Sequence, residues 1–294
     1  MTDGLLSAGN RKHPYLVFTS AGDHSNVRRW VVGRRNFDLW ITYYGDRPGA
    51  LSDVADLYNC RRGSKFQNLQ YAYHTWPQLM HDYEAVFVMD DDILIGAEDI
   101  NRLFELRAEL DLWLLQPAFS PWGKVSHPIT RVVRTARLRY TNFVENTCPL
   151  FREDKLRAFV EVYDPMLVGW GIDWWFLEVL GVNLENKVAV VDEIVCVNPH
   201  DVTKGGGQRE IDRLQPAEKR KAAWETVKQK YGIRSEERGQ AEYARVHKRL
   251  PGMLWGRVLM SVEWRVIRAL AFGRRVMRKL SRVINQAIGR ETVR

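Results

Sequence analysis

AVFVMDDDIL, residues 85–94, runs from five apolar residues straight into three consecutive aspartates. A short unbroken apolar run closed by turn-forming residues is the pattern of a strand buried on both faces, which belongs to a parallel sheet covered by helices. In open sheets of that kind ligands collect beyond the carboxyl ends of the strands, and here that end presents Asp90, Asp91 and Asp92. Working outward from this run, YLVFTS (15–20) reads as a strand ending at the turn residues Ala21, Gly22 and Asp23. FDLWITYY (37–44) reads as a second strand closed by Gly45 and Asp46. Helical patterns over 26–32, 65–79 and 99–110 separate these strands from each other and from an apolar strand at 112–117. Strands alternating with helices predict an α/β fold with a mostly parallel central sheet.

Composition agrees with a globular protein: of 294 residues, 45% are hydrophobic and 27% charged, which excludes a disordered or fibrous chain. Cys60, Cys148 and Cys196 are scattered, with no C-x-x-C pair, and are expected to be reduced thiols rather than a disulfide framework or a zinc site. The first fifteen residues show no secretory pattern, and no run reaches the ~18 apolar residues of a membrane span. The expected location is the cytoplasm.

The net charge of +8 is unevenly spread. Residues 241–294 hold thirteen Lys and Arg against three acids, which leaves residues 1–240 at a net −2. A nearly neutral body lacks the basic stripe that tracks phosphates, so nucleic acid is excluded as a partner. From Met253 to Ile288 apolar residues recur at three- to four-residue steps with arginines between them, the pattern of a basic amphipathic helix. Such a helix suits an anionic membrane surface, placing the protein peripherally on the inner membrane face; packing on the domain or on a partner subunit is the alternative. The glycine-rich, then charged stretch 205–220 marks the junction, giving an N-terminal extension (1–14), a main domain (15–204), a linker or helix (205–240) and a helical tail (241–294).

Three carboxylates at one strand end concentrate negative charge that a hard cation such as Mg²⁺ or Mn²⁺ relieves. A cation of that kind also offsets the charge growing on a leaving nucleoside diphosphate. The same aspartates also suit an acidic turn capping the next helix. Two later segments bear on the choice. LVGWGIDWWFLEVLG (167–181) places Asp173 after a Gly-Trp-Gly turn at the start of a helix, and VAVVDEIVCVNPH (188–200) ends at His200, a competent metal ligand.

The ordered set of a strand ending in D-x-D, a Gly-Trp-Gly turn with an acid and a later histidine resembles the metal-dependent glycosyltransferases of the GT-A type, whose core is a Rossmann-like nucleotide-sugar domain. The segments KFQNLQYAYHTWPQLMHDYEAVFVMDDDIL, NFVENTCPLF and GWGIDWWFLEVLGVNLENKVAVVDEIVCVNPHD more closely resemble the family labelled "lysine ketoglutarate reductase trans-splicing related". The resemblance covers residues 15–204 and implies a GT-A catalytic domain acting on a nucleotide-sugar and a saccharide or lipid-linked saccharide acceptor, as in surface glycan assembly. It implies that Asp90, Asp92 and His200 hold Mn²⁺ or Mg²⁺ and that Asp173 is the general base of an inverting reaction. The chain departs from the pattern in having Ile172 where a second acid often precedes the base. Ser20 and Asp46, at the ends of the first two strands, are placed to read base and ribose and Lys65 to meet the diphosphate, so that Ser20, Asp46, Lys65, Asp90 and Asp91 form the expected nucleotide-binding set. Trp170, Trp174 and Trp175 offer an apolar platform for an acceptor sugar, or simply core. Two other readings of the acidic site are a nucleotidyltransferase and a non-catalytic binding module.

Overall fold

A computed structural model describes residues 7–8, 11–200 and 210–248. It is a mixed α/β fold built on a ten-stranded sheet. In chain order the strands are β1 (Ser7–Ala8), β2 (Tyr15–Ala21), β3 (Phe37–Tyr43), β4 (Leu57–Cys60), β5 (Ala85–Asp90), β6 (Leu114–Phe119), β7 (Ala136–Thr141), β8 (Leu150–Arg152), β9 (Val188–Cys196) and β10 (Glu242–His247). The helices are α1 (Val27–Trp30), α2 (Lys65–Thr75), α3 (Pro77–His81), α4 (Ala97–Glu109), α5 (Glu153–Val162), α6 (Ile172–Leu180), α7 (Glu210–Leu214) and α8 (Ala217–Tyr231).

The sheet order is β1-β4-β3-β2-β5-β8-β6-β9-β7-β10. From β4 to β5 the strands are parallel, with β2 at the centre pairing Ser20 with Thr42 on one side and Asp90 on the other. Beyond β5 the short β8 runs antiparallel between β5 and β6, after which β6 and β9 are parallel again. β2 to β6, β9 and β10 therefore share one direction, and their carboxyl ends lie along one edge.

Residues along β2 alternate between two cores. Leu16 and Phe18 join Leu69, Phe159, Trp175 and Trp224 of α2, α5, α6 and α8, while Val17 joins Trp30, Ile100, Leu103 and Phe104 of α1 and α4. Helices on both faces explain why β3 and most of β5 are buried at every position. Each large apolar side chain so buried contributes roughly 1.5–3 kcal/mol.

The helix expected over 65–79 is divided. A capping box starts α2, with Ser64 and Gln67 exchanging side-chain and backbone bonds. Pro77 then disfavours a helical Trp76, so α2 stops and α3 begins anew.

The C-terminal boundaries also differ from the sequence reading. The described residues up to His247 belong to one compact unit that continues past 204, because α8 buries Trp224 and Val227 in the same core as α6 and β10 pairs with β7 at the sheet edge. Residues 242–247, expected in the helical tail, are a strand whose partner lies a hundred residues away, which no local periodicity reports. The helix expected over 253–288 lies outside the described residues. Among the described residues no helix is long and apolar enough to cross a membrane.

Candidate functional site at the carboxyl edge of the sheet

Asp90 is the last residue of β5, and Asp91 and Asp92 form the turn after it. The loop that follows β2 wraps this turn. Gly22 N–H donates to Asp91 Oδ2 (2.9 Å), Asn26 N–H to Asp91 O (2.7 Å) and the Asn26 side chain to Asp92 O (2.6 Å). The Tyr44 ring lies over Gly22, where a β-carbon would stand 2.6 Å from it. Burial raises the Tyr44 phenol, and Asp91, Glu210, Asp90 and Asp92 raise it further, so the ring borders the acidic edge as a neutral group.

Lys65, the first residue of α2, is 10% exposed and meets Asp90 Oδ1 at 2.7 Å. Its ammonium also donates to Asn146 O (2.6 Å) and Thr147 O (3.0 Å). Ser20 is buried beside Asp90, its hydroxyl accepting from Asn68 Nδ2 (2.9 Å). Asp46 points outward, with its side chain 78% exposed and paired with Arg62 at 2.7 Å. The carboxylate that ties the loops after β2 and β3 together is instead Asp23, held well below the usual range by the Tyr43 hydroxyl and by Arg47.

Asp173 stands in the first turn of α6, 7% exposed, with Oδ1 accepting from Trp174 N–H (3.1 Å). The turn before it needs two glycines. Gly169 and Gly171 have φ of +82° and +80°, and a β-carbon on Gly171 would overlap the Trp224 indole. Burial pushes Asp173 up to about 7, with Glu145 and Glu236 adding to the rise. Glu145 is likewise pushed up to about 7 by burial, with Asp90 contributing. Glu145 Oε1 accepts from Thr130 Oγ1 (2.6 Å) and His127 N–H (3.2 Å), and His127 Nε2 lies 3.9 Å from Asp173 Oδ2.

One segment joins the two halves of the site. Thr147 O accepts from Asp90 N–H (2.9 Å), Asn146 O from Lys65, and Asn146 Nδ2 donates to Gly169 O (2.5 Å). Residues 145–147 thus stand between the acidic strand end and the Asp173 turn, with buried Glu145 sensing charge on both sides. Glu145 and His127 were not singled out from sequence; their signal was faint, an acid inside the apolar FVENTCPLF and a histidine before a proline in a loop.

His200 is exposed at the last residue before 201–209. Leu94 and Val197 exchange both backbone bonds (2.9 and 3.1 Å) in an antiparallel bridge, which directs residues 197–200 back toward the aspartate turn. Among the described residues no group of three or more His, Cys, Asp and Glu side chains is gathered for a metal ion, so Asp90, Asp92 and His200 do not form a ready cage. Asp90 faces Lys65 instead. The donor set fits a hard cation that arrives with phosphate oxygens and needs only one or two protein carboxylates. It does not fit a cation held by protein alone.

The three tryptophans divide: Trp175 is core at 2% exposure, Trp174 packs on Phe143 with ring centroids 4.7 Å apart, and Trp170 is 47% exposed with Lys221 over its ring. Trp122, in the loop after β6, is also exposed.

No family model and no curated protein matches the chain. Among solved structures, S. aureus TarS 1-349 is similar at 12% identity, covering 74% of this chain and 72% of that one with a TM-score of 0.47. The same protein in complex with UDP-GlcNAc is similar at 12% identity, covering 75% and 74% of the two chains, with a TM-score of 0.46. The mannosyltransferase PcManGT from Pyrobaculum calidifontis in complex with GDP-Man and Mn²⁺ is similar at 11% identity over 80% and 79%, with a TM-score of 0.43.

Proposed function

We propose that this protein is a glycosyltransferase that moves a sugar from a nucleotide-sugar to a hydroxyl acceptor. The observation that carries the reading is the 145–147 segment, which is hydrogen-bonded to Asp90 at the acidic strand end and to Lys65 at the start of α2 on one side, and to the turn before the buried carboxylate Asp173 on the other. Transfer needs those two centres: one to hold a dianionic leaving group, the other to accept a proton.

In this reading Lys65 and the backbone around Gly22 meet the donor, and Ser20 supports Asp90 from the adjacent strand. Asp90 and Asp92, with His200, would hold a Mn²⁺ or Mg²⁺ arriving with the donor, which would supply positive charge against the leaving diphosphate. Asp173 takes the proton from the acceptor hydroxyl as its oxygen attacks the anomeric carbon. The bond from that carbon to the diphosphate oxygen breaks, and the nucleoside diphosphate leaves with the electron pair. Attack from the face opposite the leaving group inverts the anomeric centre. Burial favours this role, since a carboxylate whose pKa lies near 7 takes a proton more readily than one near 4. The acceptor we assign is a saccharide or lipid-linked saccharide, with exposed Trp170 as a stacking surface and the basic tail holding the enzyme at an anionic membrane. The closer resemblance to the labelled family belongs to the same reading.

The test is product analysis with a panel of labelled nucleotide-sugars on wild type and Asp173→Asn. Release of nucleoside diphosphate by wild type, with turnover lost and donor affinity kept in the variant, is the expected result. Release of pyrophosphate would instead indicate nucleotidyl transfer, and turnover undiminished in Asp173→Asn would remove Asp173 from the chemistry.

A further inference from the structure

Gln240 lies where the body of the domain meets β10, and the chain is held on both sides of it. Asn142 donates through its side chain to Gly239 O (2.9 Å), accepts from Ala241 N–H (2.7 Å) and donates its own N–H to Ala241 O (3.1 Å). Gly239 adopts φ 65° and ψ −172°, a conformation confined to glycine. This bracket carries the Gln240 amide to His127 Nδ1 at 2.7 Å. With the amide N–H donating, Nδ1 is the acceptor and the proton of the neutral ring sits on Nε2. The ring is also fixed from other sides: it tilts on Phe143 with centroids 4.5 Å apart, and the backbone of its loop is held by Glu145. Its protonated nitrogen therefore faces Asp173 Oδ2 across 3.9 Å, a gap that a small shift of either side chain closes.

We propose that His127 is the positioning residue for Asp173, orienting and tuning the carboxylate through Nε2–H, with Gln240 setting the tautomer. The competence of the base then depends on residues 239–247 being docked at the sheet edge. The inference rests on the reading of Asp173 as the base. The groups facing the pair are Glu145 and Thr130 beside the His127 loop, the Trp174 N–H and Glu236 beside Asp173, and Gln240 beyond the ring; Lys124 and Asp90 act on Glu145.

The experiment is long-range proton–nitrogen NMR on the full chain with ¹⁵N-labelled histidine rings, titrated from about pH 5 to 9. Wild type, Asp173→Asn and Gln240→Leu are compared, with His127→Phe assigning the signals. The expected wild-type spectrum shows His127 as the Nε2–H tautomer with an inflection that disappears in Asp173→Asn. Gln240→Leu should give mixed tautomers and, where a nucleotide-sugar is turned over, about a tenfold lower kcat with KM for the donor unchanged, the size of one lost hydrogen bond. An Nδ1–H tautomer in wild type, or a His127 signal indifferent to Asp173→Asn, would overturn the proposal. The tautomer, once assigned through His127→Phe, is read from wild type, so an Nδ1–H result overturns the proposal even if Asp173→Asn or Gln240→Leu fails to fold. Failure of the glycosyltransfer reading shows separately, as absence of turnover with His127 and Asp173 still coupled.

Discussion

Replacing Gly171 with alanine tests the turn that delivers Asp173. The backbone there has φ +80°, and leaving glycine at a left-handed position costs roughly 1–2 kcal/mol. The added methyl would overlap the Trp224 indole, which is 1% exposed and hydrogen-bonded through Nε1 to Glu236 at 3.2 Å, so relief requires α8 or α6 to move. Overpacking of this kind costs about 1–3 kcal/mol. Alanine also restricts the unfolded chain, which returns about 0.4–1 kcal/mol, so the net loss is roughly 2–4 kcal/mol. At about 2–4 °C per kcal/mol for a unit of this size, the melting temperature should fall by roughly 5–15 °C.

Gly232 provides the control. It has φ +65° at the end of α8 with nothing within 4 Å of a β-carbon, so Gly232→Ala carries the backbone cost alone. A double-mutant cycle of Gly171→Ala with Trp224→Leu should return about 1–3 kcal/mol of coupling energy from urea unfolding. Gly171→Ala no worse than Gly232→Ala, or a cycle with no coupling, would refute the packing of α8 on the Asp173 turn.

Three further outcomes follow from the site. Asp173 and Glu145 have folded-state pKa values near 7, above those of exposed acids, so the folded state binds their protons more tightly and stability falls as pH rises from about 4 to about 7. Urea midpoints at pH 5 and pH 8 should show this fall, smaller in Asp173→Asn, and kcat/KM should decline below about pH 7 as the base takes up its proton. Lys65→Met would strip a cation from Asp90 and leave the Asn146 and Thr147 carbonyls with one partner fewer. We expect a loss of about 1–3 kcal/mol in unfolding experiments and weaker nucleoside diphosphate binding by titration calorimetry. Deleting residues 249–294, which spares β10, should abolish co-sedimentation with vesicles containing phosphatidylserine while leaving the melting temperature of the body within a few degrees.

The parallel half of the fold was legible because its strands carry their own signal. β2, β3 and β5 are predominantly apolar, β-rich runs closed by turn residues, and the acidic strand end follows from Asp90 being the last residue of one. The other half was not. β8 has three residues and borrows its identity from β5 and β6, and β10 is exposed along its length, so neither has a pattern of its own. The same distinction holds at the site. The placement of Asp173 in the first turn of a helix was visible because the Gly-Trp-Gly turn before it is a backbone requirement written in residue types. Glu145 and His127 were hidden because their burial comes from chain segments far away in sequence, among them Gln240, 113 residues from the histidine it contacts. Lys65 was expected at a phosphate; its attachment to Asp90 depends on where α2 lands against β5, which is tertiary information.

The central claim, that the strand-end aspartates bind a nucleotide together with a divalent cation, is tested most directly by thermal shift. Nucleoside diphosphates and nucleotide-sugars would be screened with and without Mn²⁺ on wild type and Asp92→Ala. A ligand that binds only the folded protein raises its melting temperature, by an amount equivalent to about 2.7 kcal/mol at a hundredfold excess over Kd. The account predicts a Mn²⁺-dependent rise for one nucleotide base that is lost in Asp92→Ala. No rise with any nucleotide at millimolar concentrations would contradict it and leave Asp90, Asp91 and Asp92 as an acidic turn between β5 and α4.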